Sequence, residues 1–240
     1  FSDTGLRIAA PAGAGRLPHV EAHGAHGKGW FEVQDEGSQL VSALTGAAAG
    51  MQVADICAGA GGKTLALAAR MANRGQIHAW DIDRRRLRPI WERLKRAGAR
   101  NVQVLEGGDI NALEPLQARM DLVMVDAPCS GSGTWRRKPD AKWRLTGKSL
   151  EKRLEDQRAA LALAAPLVRR GGTLAYITCS VLPCENADQA DRFLQDYPGF
   201  EPASLPRVLP EQDPETQRLQ LTPRRHGCDG FFIALFRRND

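Results

Sequence analysis

Apolar residues along this chain gather into short runs separated by amphipathic stretches with helical spacing. Residues 52–56, 76–80, 102–105, 122–125 and 173–178 are runs of the length expected for buried strands. Between them, 64–72, 84–97, 150–168 and 185–196 read as helices. In 84–97 the apolar positions Leu87, Ile90, Trp91 and Leu94 share one face. Gly171-Gly172 is expected to stop the 150–168 helix. Upstream, 30–33 suggests a short strand, and 35–44 a helix with Leu40, Val41 and Leu44 on one side. Near the end, Phe231-Phe-Ile-Ala-Leu-Phe236 reads as a last strand. It follows an irregular stretch instead of a helix, so antiparallel insertion is expected. Strand–helix alternation from Met51 onward predicts an α/β fold: a mostly parallel sheet with helices on both faces. No internal repeat is visible. Residues 1–29, rich in Gly, Ala, Pro and His, read as a linker or loosely docked arm.

Composition narrows this picture. The chain has 240 residues, 42% hydrophobic and 25% charged, enough for one large domain with a core. No apolar run approaches the roughly 18 residues needed to cross a bilayer, so no membrane partner is expected. The basic–apolar–small pattern of a secretion signal is absent. The chain opens on Phe1, so a piece of a longer protein is expected. Five cysteines, an odd number without zinc-ligand spacing, suit a reducing, cytoplasmic setting without disulfides. His19, His23 and His26 read as polar linker residues, and no metal is expected.

The net charge of +5 and pI near 9.1 come from two clusters. Arg84, Arg85, Arg86, Arg88, Arg93, Lys95, Arg96 and Arg100 read as a solvated helix face. Arg136, Arg137, Lys138, Lys142, Arg144 and Lys148 differ, because Trp135 and Trp143 are interleaved with them. Basic and aromatic residues together suit a groove for a phosphate backbone and unstacked bases.

Candidate chemistry lies at the strand ends, where open α/β sheets bind ligands. Cys129 stands in Asp126-Ala127-Pro128-Cys129-Ser130-Gly131, after the 122–125 run. Cys179 stands in Thr178-Cys179-Ser180, after the 173–178 run. Two thiols there point to covalent chemistry beside a nucleotide-like cofactor. The loop Asp55-Ile56-Cys57-Ala58-Gly59-Ala60-Gly61-Gly62-Lys63-Thr64 follows the first strand of the alternation. A phosphate-binding P-loop would need Gly at Cys57, and a dinucleotide fingerprint would need Gly at Thr64. A plain turn does not require so many glycines. An S-adenosylmethionine loop fits: it calls for an acid after the second strand, here Asp81, and a polar residue after the third, here Asp109.

These motifs together resemble the catalytic domain of the RNA cytosine-C5 methyltransferases, the Sun/Nol1/Nop2 (RsmB-like) family. The matching segments run in family order. They are Val33-Gln-Asp-Glu-Gly-Ser-Gln39, the Cys57–Thr64 loop, Asp81-Ile-Asp83, Asp126-Ala-Pro-Cys-Ser-Gly-Ser-Gly-Thr134, Lys138-Pro-Asp140, Thr178-Cys-Ser180, Pro183-Cys-Glu-Asn186 and Asp229-Gly-Phe-Phe232. Two departures stand out: Gly59-Ala60 replaces the usual Ala-Pro, and Cys184 occupies a position where a thiol is not expected. The resemblance implies a class I S-adenosylmethionine-dependent methyltransferase fold, Rossmann-like, with a seven-stranded sheet and an antiparallel last strand. It implies a methyltransferase catalytic domain over 46–240, with 1–45 as an N-terminal linker or small subdomain. The extra RNA-binding domain common in the family is not seen in this sequence.

The resemblance also implies roles. Cys179 would be the nucleophile at cytosine C6, and Cys129 would assist release of the adduct. Asp126 would bond the N3/N4 edge of the base, and Lys63 would contact the base or orient the nucleophile. Cys57, Ala58, Gly59, Ala60, Gly61, Gly62, Lys63, Asp81, Asp109 and Asp126 would bind S-adenosylmethionine. A helix beginning at Glu185 could lower the pKa of the attacking thiol. The residues alone do not order the two thiols, and the Pro-Cys cysteine, which is the nucleophile in DNA methyltransferases, is the rival. Cys184 and Cys228 read as structural. The implied partner is RNA with a flipped or single-stranded cytosine, ribosomal RNA before transfer RNA, and the enzyme is expected to be a monomer. A non-catalytic RNA-binding module and a nicotinamide-dependent oxidoreductase are the competing classes.

Overall fold

The structure, a computed structural model, describes residues 2–8 and 18–239. The arm expected over 1–29 therefore lies partly outside the described residues. Among the described residues eight strands form one sheet: β1 (Gln52–Asp55), β2 (Gln76–Ala79), β3 (Val102–Val104), β4 (Met120–Asp126), β5 (Val168–Thr178), β6 (Phe200–Ala203), β7 (Arg218–Leu221) and β8 (Phe231–Arg238). The helices are α1 (Gly24–Gly27), α2 (Glu36–Leu44), α3 (Gly62–Arg70), α4 (Arg84–Leu87), α5 (Ile90–Ala97), α6 (Asp140–Arg144), α7 (Gly147–Ala164), α8 (Ala187–Asp196) and α9 (Pro223–His226).

The strand order is β3-β2-β1-β4-β5-β8-β6, with β7 also paired to β8. β1 to β5 run parallel, and β8 is antiparallel to β5, β6 and β7. The seven-membered path with its inverted β8 is the expected doubly wound topology, and β7 is an eighth strand beyond it. β6 and β7 are absent from the sequence reading. β6 carries Pro202, which a strand tolerates only at an edge or bulge, and β7 is four residues long.

Side chains alternate across the sheet with the period of two that pleating imposes. Leu174 and Tyr176 of β5 face a core shared with Leu161 of α7 and Phe193 of α8. Ala175 and Ile177 face the opposite core, with Leu40, Val41 and Leu44 of α2 and Leu67 of α3. A third cluster packs Leu87, Ile90 and Leu94 against Leu65 and Ala79.

Several expected boundaries change for local reasons. Residues 30–33 form no strand; Arg93 and Arg96 instead pair with Glu32 and hold that segment to α5. The 84–97 helix divides into α4 and α5, because Pro89 has no N–H to continue the ladder. α7 ends at Ala164 just before Pro166, not at Gly171-Gly172. Those glycines lie within β5, where its pairing with β4 shifts between Met120 and Leu122. Among the described residues no helix is long and apolar enough to cross a membrane.

Candidate active site

Because β1 to β5 are parallel, their carboxyl ends share one edge, and each delivers a motif there. β1 leads into the Cys57–Gly62 loop. Ala58 N donates to Trp80 O at 2.9 Å, and Gly59 N donates to Asp81 Oδ2 at 2.9 Å. Gly61 caps α3 with φ of +84°, and an added Cβ would stand 2.5 Å from Ile90 Cγ1. Glycine is thus required at Gly61 by both conformation and space. Arg93 Nη1 donates to Ala60 O at 2.8 Å and fixes the outer side of the loop.

Asp81, buried to 1% exposure, accepts from Gly59 N and, at 2.8 Å, from Asp83 N. Each carboxylate oxygen retains a lone pair for a further donor. Trp80 is the hidden tie between the two acids: its Nε1 donates to Glu106 O and Asp109 O, each at 3.0 Å. Asp109 caps the following turn by accepting from Asn111 N at 3.0 Å. Ile82 and Ile110, adjacent to the two acids, are exposed apolar side chains. The loop glycines, the helix start at Gly62-Lys63 and the spare lone pairs of Asp81 fit the amino-acid and ribose portions of S-adenosylmethionine.

The two cysteines meet. Cys129 Sγ lies 3.4 Å from Cys179 Sγ across 50 residues of sequence. Beside them, Lys63 Nζ donates to Asp126 Oδ2 at 2.7 Å and stands 5.0 Å from the Phe231 ring centroid. The Cys129–Cys179 hydrogen bond pushes the Cys129 thiol up, and burial adds to this. The same bond pulls Cys179 down; burial and Asp126 oppose it, and Lys63 supports it. Cys179 is thereby the more acidic thiol, an order the sequence alone left open. Burial by itself would lower the pKa of Lys63, but the charge and hydrogen bond of Asp126, with the charges of Cys179 and Asp55, together hold it above its ordinary value. Cys57 is pushed far up by burial and by Asp55, Asp81 and Asp126, so its thiol is unsuited to attack.

The expected helix start at Glu185 is displaced: α8 begins at Ala187, after a tight turn over Pro183–Glu185. Three loops close on one another instead. Gly133 N donates to Cys179 O at 3.0 Å, Gly230 N donates to Gly133 O at 2.9 Å, and Ser132 Oγ lies 2.9 Å from Ser180 Oγ. The basic cluster is also divided. Arg137 Nε donates to the buried Asp229 Oδ2 at 2.8 Å, and Arg136 pairs with Asp35 at 3.1 Å. Arg136 Nε also lies 2.8 Å from Asp229 Oδ1, without hydrogen-bond alignment. Arg144 pairs with Asp140. Among the described residues no group of His, Cys, Asp and Glu could hold a metal ion.

Sequence reasoning missed Asp55, Trp80, Ile82 and Ile110. Asp55 is buried beneath the loop and accepts from Thr64 Oγ1 at 2.7 Å. Its place at the end of β1, just before the glycine loop, was the available signal.

Comparison with known proteins agrees with this geometry. Residues 44–237 match the 16S rRNA methyltransferase RsmB/F family. The chain is 36% identical over 236 residues to the probable ribosomal RNA small subunit methyltransferase B of Synechocystis sp., covering 96% of this chain and 51% of that protein. It is 36% identical over 219 residues to the probable Bacillus subtilis protein of the same name, covering 88% and 48%. It thus spans about half the length of these relatives. NSun6 from Pyrococcus horikoshii, solved with SFG, superposes with a TM-score of 0.82 at 29% identity, covering 93% of this chain and 57% of that one. With a match across most of its length and with the sheet, loop and paired cysteines in place, this chain belongs to the 16S rRNA methyltransferase RsmB/F family.

Proposed function

We propose that the chain is the catalytic portion of an S-adenosylmethionine-dependent RNA cytosine-C5 methyltransferase, with ribosomal RNA as its substrate. The observation that carries this reading is the contact of Cys129 and Cys179 beside the Lys63–Asp126 pair, at the edge that also holds the cofactor loop. The match to the family and the rRNA methyltransferase names of the relatives support it. When bound, S-adenosylmethionine supplies an electrophilic methyl group. The Cys57–Gly62 loop and Lys63 would hold its amino-acid end, Asp81 its ribose hydroxyls, and Asp109 with Ile82 and Ile110 its adenine; Asp126 would lie near the methyl donor.

The remaining steps belong to the protein's own side chains. Cys179 thiolate adds to C6 of a flipped cytosine, forming the S–C6 bond and raising electron density at C5. Asp126 accepts from the N3/N4 edge of a protonated ring, and Lys63, bonded to Asp126, favours the Cys179 thiolate. After C5 has gained its methyl group, loss of the C5 proton to a base re-forms the C5–C6 double bond. The S–C6 bond breaks and its electron pair returns to Cys179. Cys129, held as the thiol, donates a hydrogen bond to that departing thiolate and so assists release.

For the chain's organisation, we propose a linker or small N-terminal subdomain ahead of the catalytic domain. Burial of Leu40, Val41 and Leu44 in the main core favours a boundary upstream of 45. We also propose that the enzyme acts as a monomer in the cytoplasm.

The deciding experiment incubates wild type, Cys129→Ala and Cys179→Ala with RNA and S-adenosylmethionine, then runs denaturing electrophoresis. Cys129→Ala is expected to accumulate a covalent RNA adduct, and Cys179→Ala to give neither adduct nor methylation. An adduct in Cys179→Ala would reverse the two roles, and no adduct or methylated cytosine in any sample would remove the reading.

A further inference from the structure

The roles above leave the buried carboxylate of Glu185 without a task. Glu185 is 0% exposed, and the side-chain donors that reach it are neutral. Ser130 N donates to its Oε1 at 2.7 Å, Ser130 Oγ to its Oε2 at 2.5 Å, and Gln157 Nε2 to its Oε1 at 3.1 Å. Taking a carboxylate out of water costs several kcal/mol, so hydrogen bonds to the charged group must offset that loss.

The placement of those donors is informative. Ser130 directly follows Cys129. Gln157 Nε2 also donates at 3.1 Å to the carbonyl of Pro128, which directly precedes it. Glu185 and Gln157, bonded to each other, therefore bracket Cys129 from both sides.

The next residue does the same for the other thiol. Asn186 Oδ1 accepts from Thr178 Oγ1 at 2.6 Å, and Asn186 Nδ2 donates to Ser180 O at 3.0 Å. Thr178 and Ser180 flank Cys179. Gln220 completes that side, accepting from Asn186 Nδ2 at 2.7 Å and donating to Ser180 O at 3.1 Å. Tyr176 Oη donates to Glu185 O at 2.6 Å and anchors the turn to β5. Two adjacent residues, Glu185 with the help of Gln157 and Asn186 directly, thus hold the chain on both sides of both cysteines.

We propose that Glu185 and Asn186 are paired positioning residues, one for each cysteine, and that together they set the approach of the two sulfurs. This rests on the division of labour between Cys179 and Cys129 given above. The Glu185 charge also favours the thiol form of Cys129, behind the larger effects of the Cys179 hydrogen bond, burial and the Cys179 charge. Loss of Glu185 is expected to impair release more than attack, and loss of Asn186 to impair attack.

The test needs neither RNA nor cofactor in its first arm. Intact wild type, Glu185→Gln, Ser130→Ala and Asn186→Ala are alkylated with iodoacetamide across pH 6–10 (a range of about two units either side of an ordinary thiol's titration). Modification of Cys129 and Cys179 is followed separately by peptide mass spectrometry. In wild type, Cys179 is expected to react at lower pH than Cys129. Glu185→Gln is expected to narrow that gap from the Cys129 side, and Asn186→Ala to alter Cys179 first. Ser130→Ala, which removes the hydroxyl's bond to Glu185 and its acceptance from Ser132 N but keeps the carboxylate and the Ser130 N bond, is expected to narrow the gap less than Glu185→Gln; it decides the matter should Glu185→Gln not fold.

A second arm measures turnover and trapped adduct. Glu185→Gln is expected to lose roughly tenfold or more in turnover while accumulating adduct, since misplacement by about 1 Å costs up to about 10²-fold. Unchanged alkylation profiles in the folded variants would overturn the proposal, as would equal changes at both cysteines in every variant. If adduct and methylation are absent throughout, the methyltransferase reading fails, while the alkylation profiles still decide the positioning claim.

Discussion

At the scale of single residues, the site is governed by how few charges share a small, mostly buried volume. Among the described residues Lys63 is the one cation bonded to Asp126, and its charge reaches Cys179 and Asp55 as well. Asp55 is a carboxyl whose charged form this arrangement disfavours. Burial pushes its pKa to about 7; Thr64 opposes the shift by hydrogen bonding, Asp126 adds to it and Lys63 opposes it. Its Oδ1 has no hydrogen-bond partner among the described residues. The sign of the linkage follows. Between about 4, the unfolded value, and about 7, the folded chain holds a proton that the unfolded chain has lost, so this group's contribution to stability falls as pH rises. Asp55→Asn keeps an acceptor for Thr64 and removes the titration. The stability advantage of Asp55→Asn over wild type should therefore grow from pH 4 to 7 and level off above, to about 4 kcal/mol at about 1.4 kcal/mol per unit. Urea unfolding of both proteins at several pH values checks this, and a pH-independent difference would refute it. This coupling is not legible in the sequence, because Asp55, Lys63 and Asp126 meet through the pairing of β1 with β4 and the placement of α3.

At the scale of elements, the site depends on loops that touch backbone to backbone. An added Cβ at Gly133 would overlap the Gly230 carbonyl, and one at Gly230 would stand 2.5 Å from Val181 Cγ1. These glycines are needed for close approach, because neither has a positive φ. Gly133→Ala must part the Cys129 loop from the Asp229-Gly230 turn and weaken the bond from Gly133 N to Cys179 O. A cost of about 3 kcal/mol, at the upper end for overpacking, is expected in urea unfolding, together with loss of adduct formation. A variant of wild-type stability and activity would show that the loops can part freely. The strands that deliver these loops were legible because buried parallel strands are continuous apolar runs, and the motifs sit where those runs stop. Elements whose stability comes from neighbours were not legible. β6 carries Pro202 and is held by its pairing with β8 and by Phe200 against Phe193, and Trp30 looked strand-like but stands exposed beside a segment held by arginines. The break at Pro89 was written in the sequence, but the helical spacing of Leu87, Ile90 and Leu94 continues across it and concealed it.

At the scale of the whole molecule, the question is which part of a +5 surface is available to a phosphate backbone. Charge counting treats 136–148 as one patch, but the fold divides it. Arg137 is spent on Asp229, which is wholly buried, and Arg136 on Asp35 and Asp229. These two arginines lock the loop after Cys129 onto the N-terminus of α2. The residues beyond them are different. Lys142 lies 6.0 Å from the Trp135 ring and 5.5 Å from the Trp143 ring, and Trp143 is 82% exposed. A cation between two indoles, one of them open to solvent, offers both a phosphate contact and a stacking surface. The two halves of the patch should therefore fail differently. Lys142→Ala should weaken RNA binding and lower the slope of log affinity against log salt by about 0.7, the value for one single-strand phosphate contact. Trp143→Ala should cost about 1–3 kcal/mol of affinity, as for a lost stacking partner, with little change in that slope. Arg137→Ala should instead lower the unfolding midpoint, since it weakens the compensation of a buried carboxylate. Fluorescence titrations with a single-stranded RNA at several salt concentrations, beside thermal melts of each variant, separate these outcomes. Equal losses of affinity in all three variants at unchanged stability would restore the undivided patch and place Arg137 in the RNA groove.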